Sequence, residues 1–202
     1  MKTYLQNKML DGDIYFGARI SLPSLAKELN VSVTPIREAL TQLQHANIVE
    51  AIPNRGFFLP KLNEKEATEI YPIIASLEHL AISQSQYNEI DIDELKDIQT
   101  IIEQSTSPAA IVKYDLQFHE KLLCNFNNHV LHSILADLKI RVFMYEYHYM
   151  QSQELAMLSS NYHHRIIAFL SEKKIEKAAN LVRESWLTSI DFIKNQFQNN
   201  HN

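Results

Sequence analysis

Glycine is nearly absent from this chain, with three in 202 residues and all of them before residue 57. Past that point few turns can use a positive φ, which favours helices joined by short connections. Cysteine is reduced to Cys124 alone. That excludes an internal disulfide and fits a reducing cytoplasm. The lone thiol reads as a small apolar packing residue rather than a reactive group. No apolar run approaches the roughly 18 residues that a membrane span needs. Gln6, Asn7 and Asp11 interrupt the N-terminus, so no secretory leader is expected. Neither an internal repeat nor a low-complexity segment is present, and a cytoplasmic protein without a membrane partner is expected.

What is present is an ordinary composition with unevenly placed charge. Hydrophobic residues make up 46% and charged residues 21%, enough for one large core or two small ones. Residues 1–61 carry a net charge of +2 and residues 62–202 a net −7, within a total of −5. A locally positive segment on an acidic protein is compatible with contact to nucleic acid and argues against general polyanion binding.

The periodicity changes twice along the chain. "YLQNKMLDG" reads as a short helix stopped by Gly12. In "SLPSLAKELN", Leu22, Leu25, Ala26 and Leu29 recur at helical spacing and Asn30 ends the run. The next helix is expected from about Thr34, with Pro35 at its first position and Ile36, Leu40 and Leu43 facing inward. Two short helices so closely spaced form a helix-turn-helix. "NIVEAIPNRGFFLPKL" then turns strand-like over 48–52 and 57–59, with "PNRG" as the turn between, which makes a wing. Residues 1–61 therefore read as a winged helix-turn-helix domain.

Residues 62–202 show only helical patterns. These run over 64–86, through "DIDELKDIQTIIEQ", from Ser107 and Pro108 onward, and through "HVLHSILADLKIRVFMYEYHYM", "QELAMLSSNYHHRIIAFL" and "KIEKAANLVRESWLTSIDFIKNQF". The expected fold is mostly α: a winged head followed by a six-helix bundle. The tail after Phe197 is polar.

Two constellations carry chemistry. A helix N-terminus pointed into the major groove of double-stranded DNA would present Ser32, Thr34 and Arg37. Arg37 could be bidentate on guanine, while Asn54, Arg55 and Gly56 at the wing tip could reach the backbone or minor groove. The plain alternative for Arg37 is an ion pair on a solvated face. In "KYDLQFHEKLL", Asp115 and His119 lie one turn apart within an apolar stripe of Ile111, Phe118, Leu122 and Phe126. His163 shares a stripe with Ile166, Ile167 and Leu170. Buried groups of this kind must be paired, hydrogen-bonded or metal-bound, and these three could form a facial site with open positions. With nine histidines in the chain, satisfied core residues are the competing reading. The run "FMYEYHYM" reads as bundle core or dimer face rather than a cofactor box.

"SVTPIREALTQLQHANIVEAIPNRGFFL", with "MLDGDIYFGARIS" upstream, resembles the signature of the GntR family of bacterial transcription regulators over residues 4–60. The helical remainder is similar to the FadR-type (FCD) effector and dimerisation domain. That resemblance implies a homodimer whose operator affinity responds to a small effector, commonly a carboxylate metabolite. It also implies a divalent metal such as zinc, nickel or manganese on an Asp and a His four apart plus two later His. Asp115, His119 and His163 match the first three, with His164 one register off, and the fourth position holds Ser185. The family's usual arginine at 33 is Val33, its Glu-Arg pair is Leu22 and Pro23, and an arginine near Glu78 is Ile74. Arg141, mid-helix among apolar residues, could pair with an effector carboxylate together with Ser185, or form a surface salt bridge. No enzyme is implied. A metal-dependent hydrolase built on the same three residues would have no additional general base and no use for the winged head. A DNA-binding dimer with a ligand-free helical domain is the other alternative.

Overall fold

The protein is described from a computed structural model, which covers Met1, Tyr4, Leu5, Lys8 and residues 14–149 and 153–199. The helix expected over 4–12 and its stop at Gly12 lie largely outside the described residues, as do Met150 and the last three residues of the tail. The chain divides into two compact units, Met1–Leu62 and Asn63–Asn202.

The first unit is a winged helix-turn-helix. After β1 (Arg19–Ile20), Ser21 caps α1 (Leu22–Glu28), its side chain accepting from Ser24 N–H, with proline at the helix start. The turn passes through Asn30 at φ 53° into α2 (Val33–His45), with Ser32 at the N-cap position. The helix thus begins one residue before the expected Thr34, and Pro35 still falls in its first turn, where its missing N–H costs nothing. Ile36, Leu40 and Leu43 are buried as the spacing requires, and so are Leu25, Ile48, Phe57 and Leu59. Leu29, expected to face inward, is 37% exposed because it sits at the C-cap as the chain leaves the helix.

The wing is β2 (Glu50–Ile52) paired antiparallel with β3 (Gly56–Phe58). Its turn needs two left-handed residues, Asn54 at φ 61° and Gly56 at φ 98°, which are the residue types that tolerate them. Sequence reading placed the strands two residues too early on one side and one too late on the other. It also missed β1, which pairs with β3 to give the order β1-β3-β2. A strand of two residues has no periodicity of its own.

The second unit contains six described helices: α3 (Glu64–Ser83), α4 (Glu89–Gln104), α5 (Pro108–Leu122), α6 (His129–Tyr149), α7 (Gln153–Ser171) and α8 (Ile175–Asn199). The expected six-helix bundle is present. Asn63 caps α3, and Asn88 and Asp91 form a reciprocal capping box on α4. Helix α3 packs along α8 and α6, and α4 lies between α5 and α7. Cys124 corrects the packing expectation, because it lies in the turn just after α5 and is exposed.

Candidate functional site

Asp115, His119 and His163 are brought together as their spacing suggested. All three are buried, and one ligand atom from each lies within 4.8 Å of the others. The i, i+4 spacing on α5 places Asp115 and His119 on one face, and α7 delivers His163, whose Nε2 is 3.5 Å from Asp115 Oδ1. His164 points the other way, to Glu103 at the surface.

Each imidazole is oriented through its second nitrogen. His119 Nδ1 is 2.7 Å from Glu78 Oε2, and His163 Nδ1 is 2.8 Å from Gln99 Oε1. Both partners accept, so the Nδ1–H groups donate and Nε2 is left to a ligand. Burial, reinforced by His119, pushes His163 well below the ordinary histidine range, which keeps it neutral. Burial also pushes the Asp115 carboxyl up, only partly countered by His119 and by Ser159, whose hydroxyl donates to Oδ1 at 2.5 Å. Two imidazoles with their Nδ1 protons engaged, converging on a buried carboxyl, suit a divalent metal.

Behind His119 lies a buried polar hub. Glu78 on α3 accepts from Trp186 Nε1–H on α8 at 2.7 Å, and Lys139 Nζ on α6 stands 2.7 Å from its Oε1. Burial alone would push the Glu78 carboxyl up, but Lys139 and His119 hold it down at about 2. Trp186 lies against the His119 ring, and Phe118 stacks on His163 at 3.8 Å.

A small cavity opens beside this cluster. Asp115, His119, Glu146, Ser159, Ser185 and Trp186 are among the residues that line it. Ser185 is thus at the cavity wall beside Asp115 and His119, with its hydroxyl donating to the Val182 carbonyl at 2.7 Å. Arg141 corrects the expectation placed on it. It is absent from the lining, and its guanidinium grips Glu66 through Nε at 2.8 Å and through Nη2. Ile74 is fully buried core, so no cation replaces the family's arginine there.

Sequence reading missed Ser159, Gln99, Trp186 and Glu146. Ser159 stands one turn before His163, a spacing that could have flagged it. Gln99 and Trp186 join the site only across helices. Glu146 was hidden within the aromatic run 143–150.

In the head, Ser32, Thr34, Arg37, Asn54 and Arg55 are exposed, and Gly56 is half-buried. Ser32 makes no side-chain capping bond. No carboxylate among the described residues forms an ion pair with Arg37. Arg55 lies over the Phe58 ring at the wing, and Arg19, which the sequence reading did not include, flanks Gly56.

A winged helix-turn-helix in one chain with a six-helix bundle is the construction of a DNA-binding transcription regulator. The chain belongs to the GntR family: residues 2–59 match the bacterial regulatory proteins of the gntR family, and residues 69–187 match the FCD domain. It is similar to the HTH-type transcriptional regulator YdhC of Bacillus subtilis, 32% identical over 65% of this chain and 61% of that protein. It is also similar to the HTH-type transcriptional regulator McbR of Escherichia coli, 25% identical over 96% of this chain and 90% of that one. The solved structure of E. coli McbR/YncC superposes with a TM-score of 0.84 at 22% identity, covering 97% of this chain and 96% of that one. A GntR transcriptional regulator from Rhodococcus sp. RHA1 gives 0.84 at 19% identity, covering 96% and 95%. These structures share the fold, and the family consists of transcription regulators, not enzymes. No described helix is long and apolar enough to cross a membrane.

Proposed function

We propose that this regulator acts in the cytoplasm as a homodimer. In this reading the leading turn of α2 enters the major groove of double-stranded operator DNA, with Ser32, Thr34 and Arg37 at bases and phosphates. Asn54, Arg55 and Gly56 at the wing, with Arg19 beside them, meet the backbone. Val33, in place of the family's arginine, removes one cation from this surface, so the operator differs from those of better-known members. A dimer supplies the two-fold contacts that one head lacks.

The cavity holds a small effector, and Asp115, His119 and His163 hold a zinc, nickel or manganese ion at its wall. When bound, that ion supplies the positive charge that would accept an organic acid. Because neither lysine nor arginine is among the described residues that line the cavity, an acid effector needs that charge. Ser185, in place of a fourth ligand, leaves room for the effector or water. The observation that carries this reading is the convergence of three buried ligand atoms whose imidazoles are already oriented by Glu78 and Gln99. An effector that prefers one arrangement of the helices shifts operator affinity by that preference.

Two measurements test it. Metal content of the purified chain should approach one ion per protomer and vanish in His119→Ala; its absence after reloading with zinc, nickel and manganese would remove the metal. On duplexes selected from a randomised library, Arg37→Ala should weaken specific binding by roughly tenfold or more without changing the melting temperature. An unchanged affinity would sink the assignment of α2 as the reading helix.

A further inference from the structure

Exposed apolar side chains are scarce in the first unit, and they are not scattered. Among its described residues the large ones are Tyr15, Leu29, Val31 and Val33. The last three fall within the short stretch that leads from α1 into α2. Single apolar residues on a surface are ordinary, whereas a run of them at one end of a helix points to a contact. Val33 is the first residue of α2 and is 37% exposed. It stands four residues before Arg37, so the two share one face on neighbouring turns, outside the buried stripe of Ile36, Leu40 and Leu43. Beside it, the Ser32 hydroxyl makes no capping bond and Thr34 is exposed. At an exposed first helical position a valine supplies neither core packing nor good helix propensity.

We propose that Val33 is a specificity-determining residue that reads the C5-methyl group of a thymine in the major groove of the operator. This rests on the reading of α2 as the helix that enters that groove, in a head that matches a family of DNA-binding regulators and whose residues 1–61 carry a net charge of +2. A valine side chain has neither donor nor acceptor. It therefore offers nothing to O6 and N7 of guanine, to N6 and N7 of adenine or to N4 of cytosine, and the thymine methyl is the apolar feature left on those base edges. Branching at Cβ holds a helical valine to one dominant rotamer, so its methyl groups are presented with little entropy to lose. The spacing also says where the thymine lies. Four residues advance about 6 Å along a helix, and a base pair occupies about 3.4 Å. The thymine thus falls within about two base pairs of the base that Arg37 contacts.

Duplexes selected from a randomised library by the full chain provide the test. Selection with Arg37→Ala identifies the base pair that Arg37 contacts, as the one where preference relaxes. The wild type should prefer an A·T pair within about two base pairs of it. Replacing the thymine of that pair by deoxyuridine removes the methyl group alone. Wild-type binding should then weaken by about fourfold, the factor that burial of one methyl group supplies. Val33→Ala should bind the two duplexes alike and lose the A·T preference at that pair, while keeping the preference that depends on Arg37. Absence of an A·T pair from that interval, equal wild-type affinity for thymine and deoxyuridine, or a Val33→Ala that still discriminates them would each overturn the proposal. An A·T preference set by duplex shape would persist in Val33→Ala and so counts against it. A melt without DNA separates recognition from structure: Val33→Ala should melt within about 5 °C of the wild type, and a larger fall would make Val33 a packing residue and overturn the assignment. If Arg37→Ala changes neither affinity nor selection, the reading of α2 fails and this inference with it. If Arg37→Ala weakens binding but deoxyuridine does not, this inference alone fails.

Discussion

Glu78 ties four helices together, and replacing it by glutamine tests that role. Trp186 and His119 both donate to Oε2, whereas Lys139 faces Oε1. A glutamine can keep its amide oxygen toward Trp186 and His119, but its NH₂ then confronts the Lys139 ammonium, whose side chain is 8% exposed. Removing one partner of a buried pair leaves an uncompensated charge and costs about 3–5 kcal/mol. The linkage gives the same size. A carboxyl held at about 2 instead of 4.5 contributes about 3 kcal/mol, fully present above pH 4.5 and lost as pH falls toward 2. The chain has one tryptophan, and it is Trp186, so urea unfolding followed by its fluorescence reports from within the hub. Adding Lys139→Met to Glu78→Gln should recover about 2 kcal/mol or more, since the orphaned charge is then gone. A Glu78→Gln loss below about 1 kcal/mol, or a double variant no better than the single, would refute the reasoning.

The acidic loss of stability from Glu78 has a counterpart on the other side. Glu146, raised from 4.5 to about 8, keeps its proton when folded and loses it when unfolded, so stability should fall as pH rises across that interval. The amount is on the order of 4–5 kcal/mol. Tyr71 and Asp115 are the titratable groups that act on it. Denaturation curves across this range should flatten in Glu146→Gln, and an unaltered slope would contradict the assignment. Ser185→His should tighten metal binding by at least roughly tenfold, read by chelator competition, because the position lies on the cavity wall beside Asp115 and His119. An unchanged affinity would mean that position 185 does not reach the ion.

The sequence by itself determined whatever depends on neighbours within one helix or one turn. The periodicity of Ile36, Leu40 and Leu43, the Asn54–Gly56 turn of the wing, and the Ser107–Pro108 start of α5 are local, and each is where it was expected. The Asp115–His119 pair follows from the 3.6-residue repeat, and the register of α7 distinguished inward His163 from outward His164. Only the tertiary structure decided what meets across helices. Gln99 and Glu78 orient the two imidazoles from α4 and α3, Arg141 turns to Glu66 and not to the cavity, and β1 finds its place only by pairing with β3. Glu146 shows the difference most clearly. Its position in an aromatic run suggested core, and it is core by burial. That it lines a cavity, with its second oxygen buried and without a hydrogen-bond partner among the described residues, depends on where the neighbouring helices stand around it, and side-chain periodicity carries no record of that.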